Sequence, residues 1–422
     1  MKNPKKKILM LLENSGMPED VRVRNEAVSL VENGFEVCVI CPNQKKVQRY
    51  ENYKGVHLYR YPAPAEFKGF WGYVFEFGYS LIMAFVYSLY VLFRRGFHVV
   101  HVHAPPDLNC FVAIFYKLFF FKKFVLDTHD LSPELYNAQN GGQGNRLVYK
   151  TLRSIERIAV RWSDHLITTN QSQQMIQSKR CGKSLQKCCI VRNGPNKDFV
   201  EPADPTTDFP KDNRIVLGYV GVIGIQDGVD ALIRALAILQ NELGRKDFHA
   251  VIVGYGNALE SIQSLASDLG IASNVTFTGR IPFEKVSSYI AAFDICVTPD
   301  PSNPYNDSCT TVKTIEYMAQ GKPVVSFETP ENRITAMDSG IYAADNNESD
   351  LARCIQVLMD DSQKRDQMGQ LGKERVLSSL SWMHQEVQLL GLYQKVFGLA
   401  ANRAIEDSKI ATAASLEAHK FQ

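Results

Sequence analysis

Short apolar runs of strand character alternate with amphipathic helical runs along most of the chain, and the alternation starts afresh once near the middle. That rhythm admits few architectures, because strands separated by helices must lie parallel, with helices covering both faces of the sheet. The first series opens with an apolar strand from Lys7 to Leu12, a loop, and a helical pattern from about Val21 to Glu32. Asn33-Gly34 stops that helix, and Phe35 to Cys41 forms a second strand ended by Pro42. Further strands fall near Val99–Val102, Lys123–Asp127 and His165–Thr168. A break follows at Val191-Arg-Asn-Gly-Pro195, with a Pro/Asp-rich stretch from Glu201 to Asp212, the loop chemistry of a hinge. From Arg214 the second series runs through strands at Ile215–Val220, Ala250–Val253, Val275–Thr278, Ile295–Thr298 and Pro323–Phe327, with helices between. The expected fold is α/β, with two Rossmann-like doubly wound domains at 1–198 and 199–380 facing across a cleft. A helix at 381–400, carrying Trp382, Leu389, Leu390, Tyr393 and Phe397, and a frayed tail at 401–422 complete the chain.

The 422 residues are enough for two or three cores. A net charge of +2 gives no field for nucleic acid. The nine cysteines are scattered, and in Cys38-Val-Ile-Cys41 the two thiols fall on opposite faces of a strand, so buried free thiols in a reducing cytoplasm are expected rather than zinc. Ile8 to Leu12 is too short for a secretory signal. The tuft Lys2, Lys5, Lys6 and Lys7 reads as a solvated end, or more sharply as a contact for anionic lipid heads. Phe70 to Phe93 is long enough to span a bilayer, but Tyr73, Glu76, Ser80 and Tyr87 fall on one helical face and Phe75, Ile82, Val86, Leu89 and Phe93 on the other. Burial in the first domain is the expectation, a helix lying in the membrane surface the alternative, and a true span the third. The aromatic run Phe111–Phe121 with Lys122 and Lys123 adds to the reading of peripheral membrane contact.

Open α/β sheets bind ligands beyond the carboxyl ends of their strands, so the candidates lie in the loops there. The richest segment runs from Asn306 to Val325. Asp307, Ser308 or Thr310 is expected to cap a helix whose first-turn amides, approached through Cys309 and Thr311, suit a diphosphate. Lys313 in that turn sits poorly with the helix dipole unless an anion is near. Glu316, one turn on, can accept hydrogen bonds from ribose hydroxyls. A surface lysine with a solvated glutamate is the plainer reading of the same spacing. The loops Gly221-Val222-Ile-Gly224 and Gly254-Tyr-Gly256 open the backbone to a ligand or simply make turns; neither completes the dinucleotide fingerprint. In the first domain, Asp127-Thr-His129-Asp130 ends a strand and puts His129 where a proton-handling group is useful, or where a structural histidine packs. His101 and His103 share a strand face, but with no third ligand at useful spacing no metal is expected. Asp20, Arg22 and Arg24 follow the first loop; Arg22 or Arg24 can grip a hydroxyl or phosphate, or merely start a solvated helix.

From Ile8 to about Phe397 these residues resemble the family-4 retaining glycosyltransferases of GT-B fold. The most specific element is Lys313-Thr-Ile-Glu316-Tyr-Met-Ala-Gln-Gly-Lys-Pro-Val-Val325; Val275-Thr-Phe-Thr-Gly279, Ala292-Phe-Asp294 with Pro299, Val191-Arg-Asn-Gly194 and Ser381-Trp382 also fit. The likeness is greatest to bacterial enzymes building surface or capsular polysaccharide, through Glu19-Asp-Val-Arg22, His103-Ala-Pro-Pro-Asp107 and His129-Asp-Leu-Ser-Pro-Glu134-Leu-Tyr136. The resemblance implies that Glu316 binds the donor ribose and that His129 contacts the transferred sugar. Residues around Gly221 and Val222 would lie against the diphosphate, and those just after Gly279, beginning with Arg280, would border the base. Asp20, Arg22, His103, Asp107 and Asp130 would form the acceptor side. A last helix from Ser381 would cross back onto the first domain. The donor would be a UDP- or GDP-linked sugar, with no metal or other cofactor, and the acceptor a glycan or lipid-linked sugar at the cytoplasmic side. Two features depart from the family pattern: Ser308, beside Asp307, replaces the first of two glutamates eight residues apart, and Val222, Ile223 and Asp227 stand where an arginine and a lysine often hold the diphosphate. Lys313 can restore that positive charge. A sugar-nucleotide epimerase on the same fold and a non-catalytic sugar-nucleotide or glycan binder are the rival expectations.

Overall fold

The computed structural model describes residues 5–44, 47–64, 70–209, 212–344 and 346–399. The tail 401–422 and Lys2 lie outside the described residues, as does the side chain of Tyr73. The described residues divide into two compact units. One comprises residues up to Leu135, Asn145–Arg192 and the segment from Gln385; the other comprises Tyr136–Gly144 and Asn193–His384.

The first unit contains β1 (Lys7–Leu11), α1 (Val21–Glu32), β2 (Glu36–Asn43), β3 (Tyr50–Tyr53), β4 (Val56–Pro62), α2 (Phe70–Arg94), β5 (Val99–Ala104), α3 (Cys110–Phe120) and β6 (Lys123–Thr128). It continues with α4 (Ser132–Gln139, whose end passes to the other unit), α5 (Arg146–Trp162), β7 (His165–Thr168), α6 (Gln171–Cys181) and β8 (Cys188–Ile190). The eight strands run in the order β3-β4-β2-β1-β5-β6-β7-β8, all parallel except β3, which pairs antiparallel to β4 at the edge. The central strands are apolar on both faces because helices cover both. Leu9, Leu11, Val100, Val102, Phe124 and Leu126 face α2, α3 and α5. Residues of opposite parity, such as His101 and Asp127, meet Glu26 and Arg22 of α1. Asp20 starts α1 by accepting from the Val23 amide, and Gly34, at φ +89, lets the chain turn out of it.

The second unit contains α7 (Lys197–Val200), β9 (Ile215–Val220), α8 (Val229–Asn241), β10 (Phe248–Val253), α9 (Leu259–Asp268), β11 (Val275–Gly279), α10 (Val286–Ala292), β12 (Ile295–Thr298) and α11 (Val312–Ala319). β13 (Val324–Phe327), α12 (Pro330–Ala336), β14 (Gly340–Ala343), α13 (Glu348–Asp360) and α14 (Ser362–Arg375) follow. Its parallel sheet has the order β11-β10-β9-β12-β13-β14. α8 and α13 cover one face, and α10 and α11 the other. The two stretches singled out at the hinge and at Ser381 meet within this unit: the Trp382 amide donates to the Pro195 carbonyl, and a Cβ on Gly194 would lie 2.4 Å from the Leu380 carbonyl oxygen. The terminal helix α15 (Trp382–Phe397) joins the first unit from Gln385 onward, where Tyr393 packs on Phe35 and bonds His101 through its hydroxyl at 2.8 Å.

Candidate functional site

In the second unit the chain runs from β9 outward to β10 and β11, then returns to place β12 on the other side of β9. Loops leaving β9 and β12 therefore diverge, and an open α/β sheet takes its ligand at such a reversal. Lys313, in the first turn of α11, ties the two loops together. Its ammonium lies 3.0 Å from both carboxylate oxygens of Asp300 and 3.7 Å from Asp227, and 4.9 Å from the Tyr219 ring centroid. Burial disfavours the ammonium, but Asp300, Tyr219 and Asp227 outweigh it and hold Lys313 protonated. Asp227 is pushed up to about 6 by burial, with Lys313 pulling the other way. Glu316, one turn along α11, is pushed up to about 7 by burial, again against Lys313. The anion that Lys313 needs beside the helix dipole is thus already supplied by Asp300 and Asp227.

The cap differs from the sequence expectation. Thr311 is the N-cap and its hydroxyl does not cap the helix. Asn306–Ser308 instead form a separate short turn, anchored by Asn306 donating to the Gln226 and Pro301 carbonyls and by the Ser308 hydroxyl donating to Tyr305. Because those polar residues are spent on their own turn, α11 starts beyond them, through half-buried Cys309 and buried Thr310. The Thr314 amide donates to the Thr311 carbonyl, and the Thr311 side chain takes none of the first-turn amides, which is the kind of helix start that suits a phosphate oxygen.

The glycines serve the packing of these loops. Gly254 has φ +148, and a Cβ there would sit 1.8 Å from the Gly221 carbonyl oxygen. On Gly221 a Cβ would lie 2.9 Å from the Tyr219 hydroxyl and 3.3 Å from Lys313 Cε. Gly224 donates its amide to Asp227, and Val222 is exposed between them. Arg280 stacks its guanidinium 4.8 Å from the Tyr255 ring centroid, joining the loops after β11 and β10.

In the first unit the reversal lies between β1 and β5. His129, just past β6, is half-buried and its Nε2 lies 3.0 Å from Asp127 and 3.2 Å from His103 Nδ1. Asp127 accepts two bonds from Arg22 at 2.9 and 2.7 Å and lies 3.2 Å from His103 Nδ1. Burial alone would raise Asp127, but Arg22, His129 and His103 hold it well below the usual carboxylate range. Glu26, 3.2 Å from Arg22, is held well above that range by burial and by Asp127. Arg22 faces inward: its guanidinium is buried on Asp127, Glu26 and the Val191 carbonyl, whereas the sequence reading offered it to a ligand or to solvent. Asp20 is the α1 cap and also accepts from Ser15. Asp107 is buried, accepts from the Ser132 hydroxyl, and is pushed up to about 7 by burial. Asp130 is half-buried beside His129.

His101 and His103, read as a pair lacking a third ligand, have two carboxylates beside them. Ligand atoms of Glu26, His101, His103 and Asp127 all lie within 4.8 Å of one another. The Arg22 guanidinium already sits against both carboxylates, so the cluster has its own cation. Sequence reasoning also passed over Asp300 and Glu13. Each lies two residues beyond the end of a central strand, which is the signal that could have found them. Glu13 is buried and pushed up to about 8 by burial and by Glu76.

Two family models divide the chain between them. One described as a glycosyl transferase 4-like domain matches residues 20–175, and one described as glycosyl transferases group 1 matches residues 214–361. The chain belongs to the family-4-type glycosyltransferases. A glycosyltransferase of Methanocaldococcus jannaschii is 22% identical to it over 385 residues, spanning 88% of this chain and 92% of the relative. Sucrose-phosphate synthase of Thermosynechococcus elongatus matches this glycosyltransferase with a TM-score of 0.78 at 20% identity, over 93% of this chain and all of the other. HepE of Anabaena, solved in complex with UDP-glucose, matches with a TM-score of 0.68 at 16% identity, covering 92% and 99%. These likenesses establish the GT-B fold.

Proposed function

We propose that this glycosyltransferase moves a sugar from a UDP- or GDP-linked donor to a glycan or lipid-linked acceptor, with retention at the anomeric carbon, in surface polysaccharide assembly. The observation that carries the reading is the start of α11: a helix whose N-cap, Thr311, does not cap it with its side chain, with Lys313 in the first turn paired to Asp300 and Asp227. A diphosphate leaving group develops its charge at the bond that breaks, and preorganised amides and a fixed cation stabilise it most there. In this reading the helix amides are the main donors to the leaving phosphate, and the reaction proceeds without a metal. Anabaena HepE, with UDP-glucose bound on the same fold, supports a nucleotide-sugar donor.

In this account Glu316 accepts hydrogen bonds from the donor ribose. The loop from Gly221 to Gly224 lies along the diphosphate, with Ser308 to Thr311 opposite, and Gly254 and Arg280 are nearer the base. His129, oriented by Asp127, bonds a hydroxyl of the transferred sugar; Asp107 and Asp130 belong to the acceptor side. The acceptor oxygen bonds to the anomeric carbon as the carbon–oxygen bond to phosphate breaks, and the acceptor proton passes to the departing phosphate. The test is transfer by the purified full chain from a panel of nucleotide sugars, with EDTA present, and by Lys313→Ala and Glu316→Gln. The expected result is turnover that EDTA leaves intact and that each substitution lowers by about 100-fold. Rates near wild type in both folded variants, or donor binding with no transfer to any acceptor, would overturn it.

A further inference from the structure

Helix α2 is apolar on its outer side as well as on the side it packs against the domain. Down the middle of the side it turns to the domain, Ser80, Ala84, Ser88 and Val91 are buried, flanked by half-buried Leu81, Phe85, Tyr87 and Leu89 packed on the core, and Ser88 bonds the Tyr116 hydroxyl at 2.8 Å. Its outer side carries Phe75, Ile82, Val86 and Phe93, spaced by seven, four and seven residues and therefore on one line, with Phe93 84% exposed. The stretch Val74–Arg94 is long and apolar enough to cross a membrane, yet only 22% of its apolar 18-residue window is buried. Burial in the first domain, the sequence expectation, holds for one side of the helix only.

The exposed apolar surface continues onto the neighbouring helix. Phe85 of α2 stacks edge-on against Phe115 of α3, whose own outer side exposes Phe111, Leu118 and Phe119. Phe121 ends α3 at φ +52, a conformation that favours glycine, and is 90% exposed. Nothing in folding stability calls for a phenyl ring there.

Cations flank this apolar strip on both sides. Beyond α3 lies α5, joined to it through Lys117, which bonds the Trp162 carbonyl and Asp164. Arg146, Lys150, Arg157 and Arg161 are exposed along α5, interleaved with exposed Leu147, Ile158 and Trp162. The one acid of α5, Glu156, is buried against Arg180, and α3 contains none. On the other side, a groove of about 510 Å³ lies between α2 and the β3–β4 edge, lined by Arg49, Arg94 and Arg95 with Tyr50, Tyr59 and Tyr87. Of the amino-terminal lysines, Lys6 lies over Phe397, and Lys7 is taken up by Glu36 and the Arg95 carbonyl.

We propose that the outer layer of α2, α3 and α5 seats the first unit on a bilayer containing anionic phospholipids. The phenyl rings of α2 and α3 enter the acyl boundary, while the α5 arginines and the Arg49–Arg94–Arg95 groove bind headgroup phosphates. An apolar strip between two arginine borders matches the layering of a bilayer surface. A second copy of the chain would bring those arginine borders against each other.

The test is co-sedimentation of the full chain with vesicles of phosphatidylcholine alone and of phosphatidylcholine mixed with phosphatidylglycerol. The mixed vesicles should pellet at least about ten times more protein, and added salt should weaken that binding. Arg157→Glu with Arg161→Glu, and separately Phe93→Ser with Phe121→Ser, should each lower binding to the mixed vesicles by about tenfold or more. All four positions are exposed, so melting temperature and transfer to a water-soluble acceptor should not change. Three results would overturn the proposal: no pelleting of the full chain with the mixed vesicles, wild-type pelleting by both variants, or a lipid-free dimer that the Phe93→Ser, Phe121→Ser variant dissolves.

Discussion

Asp127 holds together more of the first unit than its place in an Asp-Thr-His-Asp run suggests. It neutralises Arg22, which is buried within the unit, and fixes the ring of His129. Asp127→Asn removes the carboxylate that accepts two bonds from buried Arg22 and leaves Glu26 as its counter-ion, which should cost about 1–3 kcal/mol and show as a fall in melting temperature. His129→Ala removes a half-buried ring and should leave the melting temperature nearly unchanged while lowering transfer. The opposite pattern would show that His129 is structural and Asp127 is not. Glu13 has its own pH signature. Its folded-state value of about 8 lies above the ordinary 4.5, so its contribution is fully present below about 4.5 and is lost as pH rises through 8. Glu13→Gln should therefore raise the melting temperature at pH 9 by roughly 3–8 °C relative to wild type and change it little at pH 5. Equal shifts at both pH values would refute this. Residue types were legible in the sequence at Lys313, Glu316 and His129. The partners of Lys313 were not, because Asp300 and Asp227 reach it only through the fold.

At the scale of elements, glycine placement decides the shape of the donor-side loops. Gly254→Ala would press a methyl group into the Gly221 carbonyl at a φ that L-residues avoid. It should lower stability and weaken nucleotide binding together, whereas Gly244→Ala, with open space around it, should cost only its backbone strain. Thermal melts and calorimetric titration with UDP and GDP separate the two. Most strands and helices could be read from periodicity, since central strands buried on both faces are nearly continuous apolar runs. The edge pair β3–β4 escaped because Tyr50–Tyr53 alternates exposed and half-exposed polar residues with no apolar face. The start of α11 was displaced because three polar residues formed their own turn. For α2 the helical wheel put Phe75, Ile82, Val86 and Phe93 on one line and Ser80 opposite, but it misplaced Leu89, which packs on the core, because periodicity cannot say which face a domain will cover.

For the whole molecule, the twofold restart of the α/β alternation was enough to specify two parallel sheets, because right-handed crossovers leave few other solutions. The return of the chain end to the first unit rests on side chains spread far apart in sequence: Phe35, His101 and Tyr393. Tyr393 is fully buried, so Tyr393→Ala should destabilise the first unit by about 3–5 kcal/mol, measurable by denaturant unfolding. The account depends most on where the donor sits. Crystals soaked with UDP-glucose or GDP-mannose should show the diphosphate at the amino end of α11, within hydrogen-bond distance of the Val312 and Lys313 amides, with the ribose at Glu316. A nucleotide bound at any other place, or no density at α11 under saturating donor, would contradict it.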